Sequence, residues 1–145
     1  MLTIEKLALE QMTADAIRTF PDECCGFLLG REEDLQRTVS TILVVDNSRE
    51  GDKRRRFEIA PRDYIQAELL ADREGLQLLG VYHSHPDHPA VPSEHDRAAA
   101  QPYFSYVIVS VRSKKLDDIR SWRLNEDFQF EEEIFKNRSI NQQIL

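Results

Sequence analysis

The chain has 145 residues, of which 41% are hydrophobic and 31% charged, and it carries a net charge of −7. That length suits about one domain with its own core, and that composition excludes a disordered chain and a bundle of membrane helices. The acidic balance argues against nucleic acid as a general partner.

In chain order, the N-terminal MLTIEKLALEQM lacks the basic start and continuous apolar stretch of a signal peptide, so a cytoplasmic location is expected. Ile4, Leu7, Ala8, Met12 and Ala16 share one helical face, which predicts a helix over roughly Ile4 to Thr19. Pro21 disfavours helix in the residue before it and should end the element near Phe20. Cys25 to Gly30 (CGFLLG) reads as a short buried strand. Cys24 and Cys25 are the only cysteines. Sequence neighbours seldom meet disulfide geometry, and no CxxC metal or redox motif exists, so both read as small buried hydrophobes.

Val39 to Val45 predicts a second strand, Asn47 to Lys53 a loop, and Phe57-Glu58-Ile59 a short third strand. The run Lys53 to Arg56 (KRRR) reads most plainly as a solvated turn, with a docking patch for an acidic partner as the other reading. Pro61 suits a first helical position and Gly75 a C-terminal stop, which predicts a helix over 61–74. Leu76 to His83 is mostly apolar and reads as a central strand. A proline-rich loop follows, then a short helix over Ser93 to Gln101, where three alanines favour it. Phe104 to Val111 and Leu116 to Leu124 predict two more strands. Phe128 to Phe135 fits strand or helix, and 137–145 is expected to fray. Strands interleaved with three helices give an α/β or α+β layered domain spanning 1–136.

The stretch HSHPDHPAVPSEHD, residues 83–96, holds all four histidines of the chain. On a strand, His83 and His85 point to the same face. Asp96 follows in the first turn of the next helix, across a loop stiffened by Pro86, Pro89 and Pro92. Two imidazoles and one carboxylate with a fourth position open fit a catalytic zinc better than a closed structural one. An HxH pair alone would read as a polar strand end. The fuller pattern, H-S-H, seven residues, S, two residues, D, arises by chance in roughly one chain in a thousand or fewer. His88, between prolines, and His95, turned about 100° from Asp96 on the helix, are weaker candidates. Ser93 begins S-E-H-D, the pattern of a helix N-cap. If Asp96 binds metal, the same cap brings the Ser93 hydroxyl beside it, where it can donate to an oxyanion. A hydrolytic zinc also wants a general base. Asp87 and Glu94 are nearest in sequence; Glu23, just before the first buried strand, is another candidate. Composition and periodicity do not connect Glu23 to the histidines.

PDECCGFLLG (residues 21–30) together with HSHPDHPAVPSEHD closely resembles the JAB/MPN-domain metalloproteases that carry the JAMM motif: an upstream glutamate, H-[ST]-H, seven residues, S, two residues, D. Glu23, His83, Ser84, His85, Ser93 and Asp96 match it without a departure. The surroundings of the glutamate, Pro21, Cys25, Gly26, Leu28 and Gly30, are similar to the bacterial and archaeal branch. The resemblance implies one JAB/MPN domain with a mixed central sheet flanked by helices, like that of cytidine deaminases. It implies one zinc per chain on His83, His85 and Asp96. Glu23 would be the general base and Ser93 the oxyanion donor. It further implies cleavage of amide or isopeptide bonds. The short connections between elements resemble minimal prokaryotic members, which are associated with ubiquitin-like sulfur-carrier proteins and act after a Gly-Gly end. A carrier tail added as a strand beside the sheet, and a narrow slot admitting only glycine, would suit that substrate.

Three rivals are weighed against this. Amidohydrolases with HxH need barrels of about 250 residues. Zinc deaminases need H-x-E and P-C-x-x-C, and the chain has neither. A non-catalytic MPN scaffold typically lacks part of the metal set, and here every position is filled.

Overall fold

A computed structural model of the chain describes residues 1–137. Among these residues, eight strands form one mixed sheet in the order β7-β6-β5-β4-β2-β3-β1-β8. They are β1 (Leu2–Ile4), β2 (Cys25–Glu33), β3 (Gln36–Val45), β4 (Gln77–Pro86), β5 (Ser105–Arg112), β6 (Lys115–Leu124), β7 (Phe130–Glu133) and β8 (Phe135–Asn137). Three helices connect them: α1 (Lys6–Thr19), α2 (Pro61–Glu74) and α3 (Glu94–Ala99). The layered α/β architecture expected from the sequence is therefore present.

The strand alternation divides the core between two faces. One face packs Leu28, Val39, Tyr82, Val107 and Val109 against Ala8, Met12 and Ala16 of α1. The other packs Phe27, Leu29, Val81 and Tyr106 against Ala67 and Ala71 of α2. Central β4 lies between antiparallel β2 and parallel β5, and both of its faces are covered. At Gly26 the β2 backbone passes so close to Tyr82 that a Cβ would run into its ring and into the Leu43 carbonyl. At Gly75 the chain turns left-handed (φ 66°), and its N–H caps the Ala71 and Asp72 carbonyls, as its position predicts.

Several boundaries differ from the expectations. Residues Leu2–Ile4 form strand β1, parallel to β3, so α1 begins at Lys6. The buried face of α1 is Ala8, Leu9, Met12, Asp15 and Ala16, and Leu7 is 64% exposed. Ile4 belongs to the sheet, and removing it from the helical pattern rotates the buried stripe. Phe57-Glu58-Ile59 is not a strand. Its polar groups are taken by Asn47 and Ser48: the Glu58 N–H donates to Asn47 Oδ1 (3.1 Å), and the Glu58 carbonyl accepts from the Ser48 N–H (2.9 Å). This clasp of one main-chain and one side-chain bond stands where a ladder would. The undecided stretch Phe128 to Phe135 supplies β7 and the start of β8. The frayed segment expected over 137–145 starts one residue early, because Asn137 closes β8; residues 138–145 lie outside those described.

Candidate metal centre

The site is built where β2 and β4 run out together. Their register pairs Cys25 with His83. One step further, the Ser84 N–H donates to the Cys24 carbonyl (3.2 Å), and the Cys24 N–H donates to Ser84 Oγ (2.8 Å). Continuing the register sets Glu23 opposite His85, on the face that His83 and His85 share. The middle residue of H-S-H thus points to the other face and clamps the backbone that carries Glu23. Sequence reading matched Ser84 to a motif and assigned it no task. Its complete burial beneath the histidines gives the reason for a small hydroxyl there.

Asp96 arrives from the other side. Ser93 caps α3 as its spacing predicts: the Asp96 N–H donates to Ser93 Oγ (3.0 Å), and the Ser93 N–H donates to Asp96 Oδ2 (2.9 Å). The loop before the cap is held by hydrogen bonds as well as by its prolines. The Asp87 N–H donates to the Val111 carbonyl, Ser110 Oγ donates to the His88 carbonyl, and the indole of Trp122 donates to the Ala90 carbonyl. This anchoring to β5 and β6 was not legible from the loop sequence, because the partners lie some twenty or thirty residues away.

The result is a triangle of ligand atoms. His83 Nε2 and His85 Nε2 are 3.1 Å apart, and Asp96 Oδ2 is 3.3 and 3.1 Å from them. A tetrahedral ion about 2.0–2.1 Å from each ligand needs edges of about 3.3 Å, so the donor set fits one. The Nδ1–H of His85 donates to the Pro89 carbonyl (2.8 Å), which leaves Nε2 its lone pair. Burial lowers the His83 pKa against the pull of Asp96, which favours the uncharged imidazole that ligates, and Phe57 stacks on its ring at 4.4 Å. Burial opposes ionisation of Asp96, yet the two imidazoles and the Ser93 N–H outweigh it and hold the carboxyl well below the usual range.

Glu23 completes the group: its carboxylate lies within 4.8 Å of the ligand nitrogens of both His83 and His85. Burial, then the charges of Asp96 and Asp52, push its pKa up to about 9. Three buried side-chain nitrogen or oxygen atoms have no hydrogen-bond partner among the described residues, and two of them are Glu23 Oε1 and His83 Nδ1. A carboxylate buried without a partner is costly, and a cation with its water is what such an atom would meet. Of the candidate bases, the structure brings only Glu23 into the cluster; the Asp87 carboxylate accepts from the Ser113 N–H, and Glu94 pairs with Arg97 on the helix surface. His88 and His95 supply no atom to it either; each lines a cavity alongside. The thiols of Cys24 and Cys25 are buried and free, with pKa values raised by burial, that of Cys25 to about 12.

Two cavities flank the centre. One, of about 320 Å³, is lined by the rings of Phe57, Tyr64 and Tyr106 together with His83, Asp96, Glu58 and His95. The other, of about 400 Å³, is bordered by Glu23, His85, Ser93, His88 and Arg55. No described helix is long and apolar enough to cross a membrane.

Residues 5–125 match the family described as prokaryotic homologs of the JAB domain. The chain belongs to that family. Within it, the chain is 31% identical over 126 residues to a probable TtuB-protein conjugate cleaving protease of Thermus thermophilus, covering 87% of this chain and 78% of that one. It is 29% identical to a CysO-cysteine peptidase of Mycobacterium tuberculosis, covering 86% and 83%. A solution structure from Desulfitobacterium hafniense superposes with a TM-score of 0.83 at 32% identity, over 94% of this chain and 92% of that one. This JAB-domain chain carries the histidine pair and the glutamate on one sheet face, and the aspartate on the capped helix beside them.

Proposed function

We propose that this JAB-domain protein is a zinc-dependent hydrolase that cleaves the amide or isopeptide bond at the C-terminus of a ubiquitin-like, sulfur-carrier type protein. The observation that carries the reading is the convergence of His83 Nε2, His85 Nε2 and Asp96 Oδ2 at 3.1–3.3 Å, with the unpartnered Glu23 carboxylate beside them. The cleaving protease and the peptidase to which the chain is similar support the substrate class. His83, His85 and Asp96 hold the metal; zinc suits two imidazoles and one carboxylate. Bound there, zinc supplies Lewis acidity, lowering the pKa of water and polarising the scissile carbonyl.

The chain's own residues do the rest. A cation beside Glu23 offsets its burial and favours the carboxylate form. Glu23 then takes a proton from the attacking water and delivers it to the leaving nitrogen as the C–N bond breaks. One water is consumed, and a carboxylic acid and an amine are formed. Ser93 Oγ accepts from the Asp96 N–H, so its own O–H proton is free to donate to the oxygen that becomes an oxyanion. Phe57, stacked on His83, shields that ligand from water.

The test is incubation of the zinc-loaded protein with ubiquitin-like carriers extended past Gly-Gly, read by intact mass. Chelator-sensitive trimming at Gly-Gly is expected. Intact substrates after incubation with a fully metal-loaded protein would favour a non-catalytic binding role.

A further inference from the structure

The basic run Lys53–Arg56 forms a turn, as read from the sequence, and that turn is fastened to the base of the site. The Glu23 N–H donates to the Lys53 carbonyl (2.7 Å). Asn47 Nδ2 donates to the Glu23 carbonyl (3.1 Å) and to the Arg56 carbonyl (3.0 Å), tying the two segments together. The Arg54 N–H donates to Asp52 Oδ1 (2.9 Å), closing the turn. So anchored, the turn brings Arg55 to the cavity that Glu23, His85 and Ser93 border. Arg55 makes no hydrogen bond or ion pair with any described residue. A guanidinium with five donors is thus placed, unpaired, at the rim of a site of small-molecule size in a chain of net charge −7.

Which product this cavity receives follows from the proton path, and this step rests on the function proposed above. Glu23 delivers its proton to the leaving nitrogen, so the leaving amine lies on the side of Glu23. Glu23 borders the cavity with Arg55 and not the one lined by Phe57, Tyr64 and Tyr106. The carrier tail is left with the side of those rings. We infer that Arg55 is a specificity-determining residue that pairs with a carboxylate carried by the leaving amine. The favoured substrate is then a carrier whose Gly-Gly end bears a single amino acid or a short adduct ending in a carboxylate, in preference to one joined to the side-chain nitrogen of a lysine.

The experiment uses the zinc-loaded full chain and one ubiquitin-like carrier ending in Gly-Gly, extended in three ways. The extensions are alanine with a free carboxylate, alanine carboxamide, and aspartate carboxamide, the last offering only a side-chain carboxylate. A charge-assisted pair predicts roughly ten- to hundredfold higher kcat/KM for free alanine than for its carboxamide. That ratio should fall as salt is raised, because Arg55 is exposed. Arg55→Gln should bring the ratio near one and Arg55→Lys should keep part of it, whereas Arg54→Gln, the same charge change one residue away, should keep all of it. If aspartate carboxamide matches free alanine in an Arg55-dependent way, the carboxylate is read wherever it sits; if it behaves as alanine carboxamide, the site reads the terminal carboxylate. Equal rates for free alanine and its carboxamide, or a ratio that survives Arg55→Gln, overturn the inference. If none of the three carriers is cut, the proposed function is what fails. Calorimetric titration of the three matching C-terminal peptides into the zinc-loaded Glu23→Gln protein then decides Arg55 by itself. Tighter binding of a carboxylate form, lost in Glu23→Gln/Arg55→Gln, sustains the role, and equal binding of all three ends it.

Discussion

Two of the buried polar clusters among the described residues are built on opposite rules. Away from the candidate metal centre, Arg37 is 5% exposed and donates to Glu32 (2.8 Å), to the Leu79 carbonyl and to Ser105 Oγ (both 3.0 Å). Ser105 and Ser121 in turn each donate to Glu133 Oε1 at 2.9 Å. Glu133 Oε2 lies 3.9 Å from the N-terminal ammonium and from Arg123. Every side-chain polar atom of that cluster that is fully buried has a partner. The candidate metal centre keeps Glu23 Oε1 and His83 Nδ1 without one. The first cluster joins strands β2 to β7 and the N-terminus. The second holds charge and lone pairs ready for something outside the protein. Satisfied networks specify a fold, whereas under-satisfied ones store the cost of a function.

Removing a group from each side tests that contrast. The largest effect belongs to Glu23→Gln. Cleavage should fall by about 10²–10⁴-fold while metal content, measured by mass spectrometry of the native protein, is kept. The metal-free Glu23→Gln protein should also melt higher than metal-free wild type, because a neutral amide replaces a carboxyl whose ionisation is opposed by burial; a lower melting temperature breaks the contrast. Arg37→Ala should do the reverse, costing roughly 3 kcal/mol in urea unfolding by leaving Ser105 and the Leu79 carbonyl short of a donor, with zinc affinity unchanged. Ser93→Ala straddles both rules: kcat should drop about a hundredfold and stability by only about 1 kcal/mol. Loss of stability without loss of kcat would leave Ser93 a cap and nothing more.

A pH dependence of the metal-free protein tests the same burial. The Glu23 carboxyl is pushed up to about 9 in the fold, from an ordinary 4.5. Between these values the folded state holds a proton that the unfolded state has released, so its contribution to stability is whole below about 4.5 and is lost as pH rises towards 9. Unfolding of metal-free wild type at pH 5 and pH 8 should show this loss, with a slope of at most about 1.4 kcal/mol per pH unit relative to Glu23→Gln. Parallel curves for the two proteins would remove the burial argument.

Local chemistry made much of this protein legible in its sequence. Period-two alternation put His83 and His85 on one face, Pro61 and Gly75 bounded α2, and Ser93 announced its own cap, because each of these depends on neighbours a few residues away. The motif resemblance added Glu23, which no local rule could reach. Tertiary structure alone decided the rest. Strand β1 is three residues long and exists only because β3 and β8 flank it. Ser84 gains its task from a backbone sixty residues away, the Trp122 indole from a carbonyl thirty-two residues away, and Arg55 from a turn fastened to Glu23. These are pairings of high sequence separation, set by sheet order and register, and nothing in the residues themselves records which distant backbone they will meet.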